Sequence, residues 1–101
     1  MSVDTDIKID EKIKQKIITP KKYKVILLND DATPMDWVVA ILEQIFKHSP
    51  ATAKEIMLAV HETGSAVCGI YTYEVAEQKS VEAVTASRDN GFPLQFRLEQ
   101  E

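Results

Sequence analysis

The segment Asn29-Asp30-Asp31-Ala32-Thr33-Pro34-Met35 places an amide, two carboxylates and a hydroxyl directly after an apolar run, Tyr23 to Leu28. Ionised carboxylates only accept hydrogen bonds, and the amide oxygen accepts as well. The ligand chemistry that suits such a cluster is a cation carrying several N–H donors. A second segment, Met57-Leu58-Ala59-Val60-His61, brings apolar side chains and one imidazole, whose unprotonated nitrogen is a further acceptor. The two segments read best as halves of one site for a cationic, partly apolar ligand. Each has a plainer alternative. Asn29, Asp30 and Asp31 can be a polar turn satisfying its own backbone, and His61 can be an ordinary surface or core histidine. Met35 and Met57 can be core fillers, and Cys68 a small buried side chain within an apolar strand. His48, near a helix end, suits an interaction with the helix dipole.

Those residues have to be positioned by regular elements, and the pattern supplies them. Tyr23–Asn29 is rich in β-branched and aliphatic residues and reads as a strand. Thr33-Pro34 reads as a helix start, with Thr33 as N-cap and Pro34 at the first helical position. Met35, Val38, Ile41, Leu42 and Ile45 then recur at helical spacing, predicting a helix over Met35–His48. Ser49-Pro50 repeats the cap-and-proline signal, with Ala53, Ile56, Met57 and Val60 as the apolar stripe. Gly64 suits a left-handed end to that helix. Ala66–Tyr71 is a second strand, Thr72 caps a third helix running to Asn90-Gly91, and Leu94–Leu98 is a last strand. The order is β-α-α-β-α-β. This predicts an α+β sandwich: one small antiparallel or mixed three-stranded sheet with three helices over a face.

The chain has 101 residues, enough for one small domain. Residues 1–22 carry six Lys against four Asp/Glu and no aromatic residue, and are expected to be a flexible N-terminal tail. Within it Ile9, Ile13 and Ile17 form a stripe too short to hold a helix alone in water. Residues 23–101 form the expected core domain, with a net charge of −6. That acidic balance argues against nucleic acid, whose phosphates demand clustered Lys and Arg. No apolar run approaches a membrane span, and the N-terminus lacks a secretory pattern. A lone Cys68 fits a reducing cytoplasm.

Few catalytic chemistries find their residues here. His48, His61 and Cys68 have no paired metal-ligand spacing. No activated-nucleophile signature is present, and the glycines at 64, 69 and 91 form no phosphate loop. Neither a metal nor a cofactor is expected. Two alternatives stay open: a carboxylate–histidine acid/base enzyme using Asp30 and His61, and a small interaction domain with no site of this kind.

The stretches YKVILLNDDATPMDWV, IMLAVHETGSAVCGIYTYEVAEQK and GFPLQFRLE resemble the bacterial ClpS family across Tyr23 to Glu99. The NDD-x-TPM and ML-x-VH motifs, about 22 residues apart, carry the likeness. Ala32 departs from it, because many relatives carry a larger residue there. The resemblance implies a fold similar to the C-terminal domain of ribosomal protein L7/L12. It implies a non-enzymatic, monomeric adaptor that delivers N-degron substrates with an N-terminal Leu, Phe, Tyr or Trp to the ClpA-type ATPase of the Clp protease. It further implies that Asn29, Asp30 and His61 bind the α-amino group. Met35, Val38, Met57, Val60 and Leu94 would wall an apolar pocket with Asp31 and Thr33 at its rim, and Glu74 and Lys79 would dock onto the ATPase. As side chains at a strand end, Asn29 and Asp30 are expected to contribute little to stability.

Overall fold

The structure, a computed structural model, describes residues 19–101. The Ile9, Ile13 and Ile17 stripe and nearly all of the expected tail lie outside the described residues. The elements in chain order are β1 (Lys22–Leu28), α1 (Met35–Gln44), α2 (Pro50–Thr63), β2 (Ser65–Thr72), α3 (Tyr73–Asp89) and β3 (Gln95–Gln100). The three strands form one sheet in the order β2-β1-β3, both pairs antiparallel. That settles the antiparallel-or-mixed alternative. It follows from the connections, since each neighbour of β1 returns beside it through helices lying on the same face.

β1 is the central strand because it is the most apolar. Val25 and Leu27 are essentially inaccessible and join Leu42, Phe46, Ala53, Cys68, Ala76 and Ala83 in a single core between sheet and helices. Alternation along the strand sends Ile26 to the opposite face. The β1–β2 register steps from Val25 opposite Gly69 to Ile26 opposite Val67, so Cys68 is the extra residue of a bulge. A bulge leaves a carbonyl out of the ladder, and here His48 supplies the missing donor: its Nε2 donates to the Cys68 carbonyl oxygen. His48 is therefore a strut between the α1–α2 connection and the sheet, not the partner of a helix dipole. Burial pushes the Cys68 thiol up to about 12, as expected of an inert core side chain.

Two helix boundaries differ from the sequence pattern. α1 stops at Gln44, short of His48, because Lys47 adopts a left-handed conformation (φ 60°) and the His48 N–H bonds to the Leu42 carbonyl at 3.1 Å. Phe46, within that turn, is buried in the core at 4% exposure. At the other end Pro34, not Thr33, occupies the N-cap position of α1, and no side chain caps it. The start of α2 follows the pattern: Ser49 Oγ accepts from the Thr52 N–H at 3.2 Å, with Pro50 just inside. Gly64 ends α2 with φ 94°, a conformation that only glycine adopts at little cost. Thr72 occupies the N-cap position of α3 without a side-chain hydrogen bond.

Candidate functional site

The end of β1 and the end of α2 are tied directly, since the Asn29 N–H donates to the Gly64 carbonyl at 2.9 Å. This backbone bond brings the acceptor cluster after β1 beside the last turn of α2, which carries His61. Between them opens a cleft of about 170 Å³. Its polar side is Asn29, Asp30, Asp31, Thr33 and His61. Its apolar side is Met35 and Val38 from α1, Met57 and Val60 from α2, and Leu94 from the segment before β3. Every residue expected to bind the amino group or line the pocket thus borders one cavity. Two further walls, Leu27 and Leu28, were missed. They are the last apolar residues before Asn29, and that adjacency was the available signal.

The chemistry is layered by depth. Val38, Val60, Leu94 and Leu27 are buried, whereas Asn29, Asp31 and His61 are exposed at the mouth. Met57 is buried against the core, but Met35 remains 45% exposed and stands at the opening. A cavity of about 150 Å³ holds a benzene ring, so this one matches a single large apolar side chain, with charge recognition only at its rim.

Asp30 does more within the fold than its strand-end position suggested. Its Oδ1 accepts from the Ala32 N–H at 2.9 Å and from the Thr33 N–H at 2.7 Å, and its Oδ2 accepts from the Thr33 hydroxyl at 2.8 Å. This corrects two expectations. The carboxylate contributes to the stability of the 29–34 loop. The Thr33 hydroxyl donates to Asp30 and caps nothing, because the helix begins one residue later and Pro34 holds the N-cap position. A carboxylate has about four lone-pair sites. Three are engaged, so the remaining capacity lies on Oδ2, and the Thr33 hydroxyl, its proton held by Asp30, is acceptor-only toward any other group.

The surroundings hold α1 in place. Trp37 Nε1 donates to Ser87 Oγ at 2.9 Å, Ser87 Oγ donates to the Ala83 carbonyl at 2.7 Å, and the Trp37 ring meets Phe92 edge-on at 5.3 Å. These contacts pin the first turn of α1 to α3 and to the segment leading to Leu94. Glu74 and Lys79 lie on α3, outside the cleft. Glu74 is exposed in its first turn. Lys79 is engaged internally: Nζ donates to the Ile45 carbonyl at 2.8 Å and sits 5.4 Å from the Tyr71 ring centroid. Nearby Tyr73 donates to Glu77 at 3.0 Å, and that carboxylate pushes the phenol above its ordinary range.

Among the described residues, no group of three His, Cys, Asp or Glu side chains is arranged to hold a metal ion, and no helix is long and apolar enough to cross a membrane.

The family model described as ATP-dependent Clp protease adaptor protein ClpS matches residues 18–97. The chain is 50% identical over 88 residues to the ATP-dependent Clp protease adapter protein ClpS of Treponema denticola, covering 87% of each chain. It is 45% identical over 95 residues to the protein of that description from Burkholderia mallei, covering 94% of this chain and 91% of the relative. Among solved structures it is similar to Agrobacterium tumefaciens ClpS2 bound to L-phenylalaninamide, with a TM-score of 0.79 and 42% identity over 82% of this chain and 100% of that one. The chain belongs to the ClpS family, whose members are non-enzymatic adaptors that recognise N-degron substrates and hand them to the Clp protease.

Proposed function

We propose that the cleft receives the free N-terminus of a protein whose first residue is Leu, Phe, Tyr or Trp. The α-ammonium offers a positive charge and three donors. Asn29 Oδ1, the free lone pair of Asp30 Oδ2 and a neutral His61 nitrogen take those donors, and the first side chain fills the apolar chamber below. The observation that carries this reading is the pairing of an acceptor-rich, acidic mouth with a buried floor of single-side-chain size. The ligand of the Agrobacterium relative, an amino acid amide with a free amine and an aromatic side chain, supports it.

The energetics favour moderate affinity. Burying a Leu or Phe side chain contributes about 1.5–3 kcal/mol. Each charge-assisted hydrogen bond adds about 1.5–3 kcal/mol, against an association cost of roughly 4–15 kcal/mol. An adaptor that must release its cargo is served by such a balance. Calorimetry with a Phe-leading peptide and its N-acetylated form tests the reading. The free peptide is expected to bind and the acetylated one not, because acetylation removes the charge and two donors, so a bound peptide would cover the acceptors without pairing them. Equal affinities would overturn it.

Delivery requires a second surface, and Glu74 offers an exposed charge away from the cleft for the N-terminal domain of a ClpA-type ATPase. Lys79, bonded to Ile45, serves that surface by holding α3 against the end of α1. The lysine-rich residues 1–22 are the segment handed to the ATPase, residues 23–101 are the adaptor core, and the protein works as a cytoplasmic monomer.

A further inference from the structure

A groove of about 420 Å³ lies between α1 and α2, on the far side of Met35 and Met57 from the cleft. Val39, Ala40 and Pro50 give it an apolar lining, and Glu43 and Lys54 stand at its rim. Helix geometry makes it continuous: Met35, Val39 and Glu43 follow one face of α1, while Pro50, Lys54 and Met57 follow one face of α2. From Met35 to Glu43 the helix rises about 12 Å, a distance that an extended chain covers in three to four residues at about 3.3 Å each. Met35 and Met57 wall both cavities. The two are chambers on either side of a methionine partition.

An extended peptide alternates its side chains between two faces. If the first side chain drops into the cleft, the second points away from the protein and the third points down again, about 6.6 Å further along. That spacing straddles one side chain. We propose that the groove is a second subsite for the same ligand, taking an apolar side chain at the third position of the N-degron. The inference rests on the cleft being the N-terminus site. Continuity with that cleft selects the occupant, and the apolar lining selects its chemistry. Met35, unbranched and 45% exposed, can shift to fit both side chains.

The test is calorimetry on the full chain with peptides beginning Phe-Ala-Ala, Phe-Leu-Ala and Phe-Ala-Leu on one polar tail, with acetylated Phe-Ala-Ala as control. Leu at the third position is expected to tighten binding about three- to tenfold, while Leu at the second leaves it within about twofold. Ala40→Met fills the groove without lining the cleft, so it should erase the third-position gain and leave Phe-Ala-Ala affinity unchanged. Should that variant fail to fold, Val39→Thr, nearly isosteric, puts a hydroxyl on the same wall and should remove roughly half of the gain. Equal affinity for the three free peptides overturns the proposal, as does a gain from Leu at the second position or a gain that survives filling the groove. Failure of the cleft reading looks different, because the acetylated control would then bind as well as its free form.

Discussion

Asp30 is the residue at which structure and recognition meet, and two substitutions separate its roles. Asp30→Asn keeps Oδ1 in place to accept from the Ala32 and Thr33 N–H groups. It replaces Oδ2 by an NH₂ that can donate to the Thr33 hydroxyl once that rotor turns. The loop therefore keeps most of its hydrogen bonds, and stability should fall by less than about 1 kcal/mol. The mouth, however, loses its negative charge and gains a donor aimed at an ammonium group. The loss of one charge-assisted hydrogen bond is about 1.5–3 kcal/mol, or roughly 10- to 150-fold in Kd. Asp30→Ala removes all three loop bonds, one exposed and two half-buried. With water replacing part of each, the destabilisation is about 1–3 kcal/mol. For a domain of this size every kcal/mol lowers Tm by about 4–8 °C. Calorimetry with a Phe-leading peptide, run beside thermal melts, should show affinity lost in both variants and Tm lowered substantially only in Asp30→Ala. Unchanged affinity in Asp30→Asn would refute the ammonium role. Unchanged Tm in Asp30→Ala would refute the loop clamp.

Met35 stands exposed at the mouth, so Met35→Ala should admit Ile and Val at the first position, whose branching widens the side chain near the backbone; a variant that binds Leu normally yet still rejects both would clear Met35 of gating. His61→Ala takes one acceptor from the mouth, so peptide affinity should fall with Tm unchanged; an unchanged Kd removes His61 from the site. The Cys68 thiol keeps its proton to about 12 in the fold and loses it near 9.0 when unfolded, so the native state binds more protons in that window. Its contribution to stability is complete below pH 9 and declines as pH rises toward 12, so urea midpoints should show an alkaline loss that Cys68→Ala lessens. Burial of Tyr71 acts in the same direction, and the variant isolates the thiol's share. Glu74→Lys should weaken docking to the ATPase with peptide affinity intact, and deleting residues 2–17 should abolish substrate degradation without touching the cleft. Full-rate delivery by the deletion variant would reduce the tail to a solubilising appendage.

Local patterns carried much of this protein. The apolar run ending at Leu28, the Ser49-Pro50 start and the Gly64 stop are decided by residues within a few positions of one another, through propensity, capping and the left-handed freedom of glycine. The polar part of the site was legible for the same reason, since Asn29–Met35 and Met57–His61 are contiguous motifs whose ligand chemistry follows from their side chains, whereas Val38 and Leu94 entered only through the family resemblance. What sequence could not supply is whatever depends on partners distant along the chain. α1 ends four residues early, where Lys47 turns left-handed and His48 reaches back to the Leu42 carbonyl and across to that of Cys68. His48 bonds to a carbonyl exposed by a bulge 20 residues away, and Lys79 to one 34 residues away. Neither bond leaves a periodicity to read. Thr33 caps nothing because α1 starts one residue later, with Pro34 at the N-cap position, and the loop's folded path brings Asp30 within 2.8 Å of its hydroxyl. The cleft itself exists only once the Asn29 N–H meets the Gly64 carbonyl and Leu94 arrives from the far end of the chain. A motif fixes which groups are available. Their separation, depth and remaining hydrogen-bonding capacity are set by packing, and so by the tertiary structure alone.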